Sequence, residues 1–147
     1  MKLHQALKHK NRLAGEVSTL QETFKRENSR RSDNPSKIAA KDVFDKLLAK
    51  YSELTLIRGK IAVATAEIAP LLAQLEEKKL LKNFLSGIPV REGEEVQHHG
   101  ANIEPSRYMW SAFINREQLD GKLEELQREI NSLQDKIDLH NAVTSIS

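Results

Sequence analysis

The sequence contains no cysteine, few aromatic residues and no apolar run long enough to cross a bilayer. Without cysteine, disulfides, thiolate metal sites and cysteine nucleophiles are all excluded. The most apolar stretch, residues 61–75, contains Glu67, Pro70 and Gln74 and is too short to span a membrane. Because the first residues also lack the apolar segment of a signal peptide, we expect a cytoplasmic protein.

The composition favours exposed helical surfaces over a large globular core. Charged residues make up 30% of the chain and aromatic residues 5%, against 39% hydrophobic residues. The net charge is only +2, but residues 1–50 hold 12 Lys and Arg against 6 Asp and Glu. Two interpretations stay open: segments of opposite sign that help helices and subunits to pair, or a basic surface for an anionic partner.

Apolar residues spaced three and four positions apart predict four amphipathic helices in a single domain covering residues 1–147. We place the helices at about residues 2–28, 35–68, 70–86 and 116–142. Asn34 followed by Pro35 is expected to begin the second helix, and Pro70 to bend or end it. Asn115 with Gln118 three residues later matches a capping box at the start of the last helix.

The first and last helices carry narrow apolar seams with coiled-coil spacing. These seams contain Leu3, Ala6, Leu13, Val17, Leu20 and Phe24, and then Leu119, Leu123, Leu126, Ile130, Leu133 and Ile137. We therefore expect the two terminal helices to pair, and other copies of the chain to complete their packing. The predicted fold class is all-α: long antiparallel helices in a coiled-coil-like bundle that forms a homo-oligomer.

The segment 87–115 is predicted to be a long loop with a short β arm. Glycine and proline punctuate residues 87–107, and apolar periodicity is lost there. Residues 108–114 are rich in aromatic side chains and suit a strand or hairpin arm. Long loops in small domains are often functional, which makes this segment a candidate for a binding site.

Nearly the whole chain resembles the small bacterial and phage proteins labelled septicolysin-like. The resemblance lies in the opening Met1-Lys2-Leu3 with Ala6-Leu7, the helical middle, and the closing run from Leu119 to Asn141. The family shows Asn-rich turns near the end of the second helix, where this chain has residues 61–66, Ile-Ala-Val-Ala-Thr-Ala. The resemblance implies a helical fold and an oligomer, but it brings no catalytic residues.

Arg58 is a candidate ligand-binding residue because helical spacing puts it on the apolar seam of the second helix, between Leu54 and Ile61. A buried cation must be paired, since an unpaired one costs several kcal/mol. Its partner would be a carboxylate from another helix, such as Glu67 or Glu124, or an anionic group of a ligand.

A second candidate cluster consists of Arg107, Tyr108 and Trp110, with Phe113 and Arg116 close by in the sequence. Aromatic rings stack on nucleobases and arginines bind phosphates, so the cluster could hold a nucleotide. Alternatively, its aromatic residues fasten the loop onto the helices. We expect Arg58 and this cluster to converge on one concave site.

Catalytic and metal-binding patterns are absent from the sequence. His98 and His99 are adjacent and lack a third ligand at useful spacing, and no phosphate-binding glycine loop or catalytic triad is recognisable. We therefore expect no enzyme, cofactor or metal, no membrane partner and no nucleic acid. The predicted function is binding of a small anionic or nucleotide-like ligand, such as a signalling nucleotide sequestered by a phage-type protein. The alternative is a structural or interaction protein without a small ligand.

Overall fold

The computed structural model describes all 147 residues and contains four α-helices and one two-stranded sheet. The elements in chain order are α1 (Leu3–Glu27), α2 (Ala40–Thr65), a 3₁₀ turn (Ala66–Ile68), α3 (Ala69–Ser86), β1 (Gly93–Gln97), β2 (Ser106–Trp110) and α4 (Arg116–Val143). The prediction of a mostly helical chain is confirmed. None of the helices combines the length and apolar character needed to cross a bilayer.

The contacts within the chain group into two compact units. The first unit consists of residues 1–69 and 137–147, and the second of residues 70–136. In the first unit α1 packs against α2, and together they bury one apolar cluster. Its buried members are Leu3, Ala6, Leu13 and Val17 from α1 with Leu47, Leu54, Ile57 and Ile61 from α2. Full burial of a Leu, Ile or Val side chain contributes roughly 1.5–3 kcal/mol.

The predicted pairing of the two terminal helices along their length is wrong, because the helix that lies along α1 is α2. The ends of the chain meet instead through backbone hydrogen bonds. The amide of Leu3 donates to the carbonyl of Thr144 at 2.8 Å, and that of Ile146 donates to the carbonyl of Met1 at 3.0 Å. These bonds hold the residues after α4 beside the start of α1.

The predicted start of the second helix at Pro35 is also wrong, since α2 begins at Ala40. Ser36 provides the physical reason. Its hydroxyl donates a hydrogen bond to Glu27 at the end of α1 and accepts one from the amide of Ile38 at 3.0 Å. A serine that bonds nearby backbone in this way stabilises a turn instead of a helix. Pro70, by contrast, follows the end of α2 as predicted.

Glu27 is the buried acid of the first unit, and its carboxylate holds the connection between α1 and α2. It accepts hydrogen bonds from Ser36, from Arg30 at 2.9 Å and from Arg26 at 3.1 Å. The Ser36 bond, together with the two arginines, lowers the pKa of Glu27 from 4.5 to about 2, although burial acts in the opposite direction. The arginines also offset the unfavourable position of a carboxylate at a helix C-terminus.

In the second unit, α4 buries the predicted seam. Leu119, Leu126, Ile130 and Leu133 are buried there, together with Leu75 of α3. A hydrogen-bonded ion pair links the two helices, with Lys78 Nζ 2.9 Å from Glu129 Oε2, and Lys78 lowers the pKa of Glu129. The capping box is confirmed, because Asn115 and Gln118 exchange side chain to backbone hydrogen bonds of 2.9 and 3.0 Å.

The second unit also contains a β-hairpin. The predicted arm at residues 108–114 is confirmed in part, because β2 contains residues 108–110 of it but not 111–114. Residues 93–97, predicted to be loop, form the partner strand β1. Their sequence, Gly-Glu-Glu-Val-Gln, contains one apolar residue and so gives no apolar alternation that would predict a strand. Gly93 at φ +89° and Gly100 at φ +136° supply backbone conformations that other residues rarely adopt.

The α4 seam predicts that two leucines of the same helix contribute very differently to the free energy of unfolding. Leu126 is 2% exposed and Leu139 is 64% exposed. Leu126→Ala should lower the free energy of unfolding by about 2–5 kcal/mol, because it removes buried methyl groups and leaves a cavity. Leu139→Ala should change it by less than about 0.5 kcal/mol. Urea denaturation of both variants measures the difference, and equal effects would contradict the seam.

Glu27 predicts a specific pH dependence of stability. Its folded pKa lies below its unfolded value, so its stabilising contribution is complete above about pH 4.5 and is lost as the pH falls toward 2. Glu27→Gln should therefore destabilise the protein at pH 7, and the difference from wild type should shrink between pH 4.5 and 2. Denaturation at several pH values measures this, with exposed Glu22→Gln as control. A difference that stays constant with pH would show that the charge of Glu27 is not responsible.

Candidate functional site

The hairpin separates its functional side chains onto two faces. Successive residues of a strand point to opposite sides of a sheet. Because Glu95 pairs with Tyr108 and Gly93 with Trp110, Glu95, Tyr108 and Trp110 share one face. Arg107 lies on the other face, where its Nη1 is 2.7 Å from Oε1 of Glu94.

Arg91, which precedes β1, supplies the cation that lies on Trp110. Its guanidinium carbon is 4.8 Å from the centroid of the indole ring, within the range of a cation–π interaction. Its Nη1 also donates to Oε2 of Glu95 at 3.0 Å, and the indole N–H of Trp110 donates to the same carboxylate oxygen. Hydrogen bonds from Gln97 and Trp110, with the charge of Arg91, lower the pKa of Glu95. Glu95 thus fixes both the arginine and the ring as an ionised acceptor.

An open cleft of about 370 Å³ lies next to this pair. Ile88, Pro89 and Arg91 line one side, and residues 110–114 line the other. Phe113 is 99% exposed, so its ring makes almost no contact with the rest of the chain. The cleft therefore combines two aromatic rings, aliphatic walls and one guanidinium that has a single carboxylate partner.

This combination suits a planar ligand that carries a negative charge. A ring could stack on Phe113 or against the Trp110 edge of the cleft, while Arg91 offers further N–H donors to an oxyanion. The lining contains no histidine, carboxylate or lysine that could act as a general base.

The predicted site residues are distributed over several surfaces. Tyr108 and Trp110 share a face of the hairpin and are both partly exposed, at 49% and 43%. Arg107 is on the opposite face, and Arg116 lies in the first turn of α4, 3.7 Å from Asp120. The cationic and aromatic character predicted for the segment is present, but the arginine beside Trp110 is Arg91.

The predicted position of Arg58 on the buried seam is wrong. The buried residues of this part of α2 are Leu54, Ile57 and Ile61, and Arg58 is exposed. Between Leu54 and Ile61, a helical spacing of three and four residues fits position 57 and position 58 equally well. In the structure α1 covers Ile57, the apolar residue of the two. Arg58 belongs to the first unit and the hairpin to the second, so their convergence on one site stays a prediction.

The role of Arg91 is not evident from the sequence because Trp110, the ring on which it lies, is across the hairpin. The available signal was the spacing of Arg91-x-Gly-x-Glu95 before the aromatic arm, but it has meaning only once the register of β1 and β2 is known. The histidines are elsewhere: His99 bonds the hydroxyl of Ser106 at 2.8 Å. No group of three or more His, Asp or Glu residues is arranged to hold a metal ion.

Comparisons with protein families, curated proteins and solved structures returned no match. The resemblance to the septicolysin-like family therefore stays a prediction.

Proposed function

We propose that this protein is a non-catalytic binding protein that takes a small planar anion, of nucleotide type, in the hairpin cleft. The observation that carries the proposal is the guanidinium of Arg91 held 4.8 Å over Trp110 at the edge of a cleft that Phe113 borders. The ligand that the aromatic rings and the guanidinium of the cleft favour is a nucleotide, which the protein would sequester without chemical turnover. The alternative is an interaction protein in which the cleft binds no small ligand.

Two kinds of contact in the cleft would contribute to the affinity for such a ligand. Stacking of a base on an aromatic side chain contributes about 1–3 kcal/mol, and a charge-assisted hydrogen bond to an oxyanion about 1.5–3 kcal/mol. Arg91 is already oriented by Glu95, so less conformational entropy is lost when a ligand binds. The nearly complete exposure of Phe113 leaves a large apolar surface that a ligand ring would cover.

The single tryptophan of the chain is Trp110, so intrinsic fluorescence reports directly on this cleft. Titration with a nucleoside diphosphate should change the emission in a saturable way. Pyrophosphate or the nucleoside alone should bind at least about tenfold more weakly, because each lacks one of the two recognised groups. The nucleotide should be recovered intact after incubation.

Arg91→Ala should weaken binding by about tenfold or more, since it removes the charge-assisted bond. Arg107→Ala is the matched control, because Arg107 is a hairpin arginine with one glutamate partner on the opposite face. Phe113→Ala should weaken binding without changing thermal stability. Equal effects of the two arginine variants, or no saturable change in wild type, would favour the alternative without a ligand.

We also infer that the chain works as a homo-oligomer. Large apolar side chains are exposed on α2 and α3 without a partner in the chain, among them Val63 at 79%, Phe84 at 65% and Leu56 at 63%. Contiguous exposed apolar residues on a soluble protein mark surfaces that bind other chains. Leu56 and Val63 lie on the part of α2 that α1 does not cover.

Self-association predicts that sedimentation equilibrium at micromolar concentration gives a mass that is a multiple of 16.7 kDa. Dilution should shift the mass toward that of the monomer. A concentration-independent mass of one chain would contradict the oligomer while leaving the hairpin cleft untouched.

A further inference from the structure

The face of α2 that turns away from α1 carries a second apolar stripe. Ala49, Leu56 and Val63 occupy every seventh position, and Ser52, Gly59 and Ala66 follow them by three residues. Ala66 is the first residue of the 3₁₀ turn that directly follows α2. All six residues are exposed and uncharged. This spacing alternates steps of three and four and is the spacing of a coiled-coil seam. We call these six residues the outer stripe.

A row of charges of alternating sign borders the outer stripe. Lys46, Glu53, Lys60 and Glu67 also recur every seventh residue. The last three each directly follow a residue of the stripe, and Glu67 lies in the 3₁₀ turn after α2. All four are exposed. Lys46, Lys60 and Glu67 form no ion pair within the chain, and Glu53 has only Lys50 at 3.5 Å. The row is therefore free to pair with another chain.

We propose that the outer stripe is a self-association interface, on which α2 of a second copy of this chain packs in the antiparallel direction. A two-fold axis near the middle of the stripe places each large residue against a small one. Leu56 then faces Gly59 of the second copy, Val63 faces Ser52, and Ala49 faces Ala66. Side chains of unequal size at facing positions let two helices approach closely.

The charges determine the direction of the second helix. In an antiparallel pair the bordering row faces the same row of the second copy. Glu53 then meets Lys60 and Lys46 meets Glu67, and symmetry repeats both pairs. In a parallel pair the row would face Leu48, Thr55 and Ala62 on the other border, which carry no charge. Only the antiparallel arrangement gives complementary charges.

Three of the six residues of the stripe border an open groove. An open groove of about 610 Å³ runs beside α2, and Leu56, Gly59, Val63 and Ile146 are among the residues that line it. A Cβ atom added at Gly59 would have no atom of the chain within 4 Å. Gly59 therefore leaves room for a side chain of the second copy.

This interface rests on the proposed self-association and is independent of the ligand in the hairpin cleft. Lys60→Glu and Glu53→Lys should each raise the dissociation constant by about tenfold or more, because like charges would face each other across the interface. Mixing the two variants, or combining both changes in one chain, should restore association. Lys8→Glu, an exposed lysine of α1 without an ion pair, is the control for net charge. Sedimentation velocity measures all of these.

Gly59→Leu tests the shape of the interface. Leucine at position 59 should abolish association, since it would meet Leu56 of the second copy. Gly15→Leu is the matched control, because Gly15 is also an exposed glycine inside a helix with no atom within 4 Å of an added Cβ. Circular dichroism should show both variants folded.

The outcomes separate the interface from the oligomer. Loss of association in the single charge variants with recovery in their mixture supports the antiparallel outer stripe. An oligomer that is unaffected by Gly59→Leu and by either charge reversal overturns the stripe but leaves self-association in place. A wild-type chain that is monomeric overturns both.

Discussion

In the first unit α1 and α2 bury only the faces that they turn toward each other and toward residues 137–147, and this constraint governs the unit. α1 and α2 bury one cluster of aliphatic residues between them, and what lies on their outer faces is left to water or to another chain. On α1 the outer face is charged and polar. On α2 it contains Leu56 and Val63, two exposed apolar residues that lie seven positions apart.

The hairpin shows a different constraint, because strand alternation decides which charges meet. Arg91 and Arg107 are both paired with glutamates, yet only Arg91 shares a face with Trp110. The short sheet has no buried core of its own, and its exposed ion pairs contribute little stability individually. Their effect is positional, since they fix one arginine against an indole ring and direct the other away from it.

Much of the fold could be predicted from the sequence, and much less of the site. The α4 seam from Leu119 to Leu133 and the capping box follow from periodicity and local hydrogen bonding, which are properties of neighbouring residues. Periodicity alone does not show whether Arg58 or Ile57 lies on the buried seam of α2. The position of α1 decides between them, and Ile57 is the buried residue. Arg91 could not be found because its role depends on strand register, which a β1 sequence with one apolar residue does not specify.

The first unit is discontinuous in sequence, since its residues 137–147 are separated from residues 1–69 by the whole second unit. Contacts such as the one between the His140 ring and the carbonyl of Ala64 at 2.8 Å therefore close a long loop of chain. Closing such loops is entropically costly and slows folding. On the ribosome, the second unit would be complete before its discontinuous neighbour. Until then α1 and α2 would form only part of their unit. Their outer surfaces would be accessible to chains emerging from adjacent ribosomes.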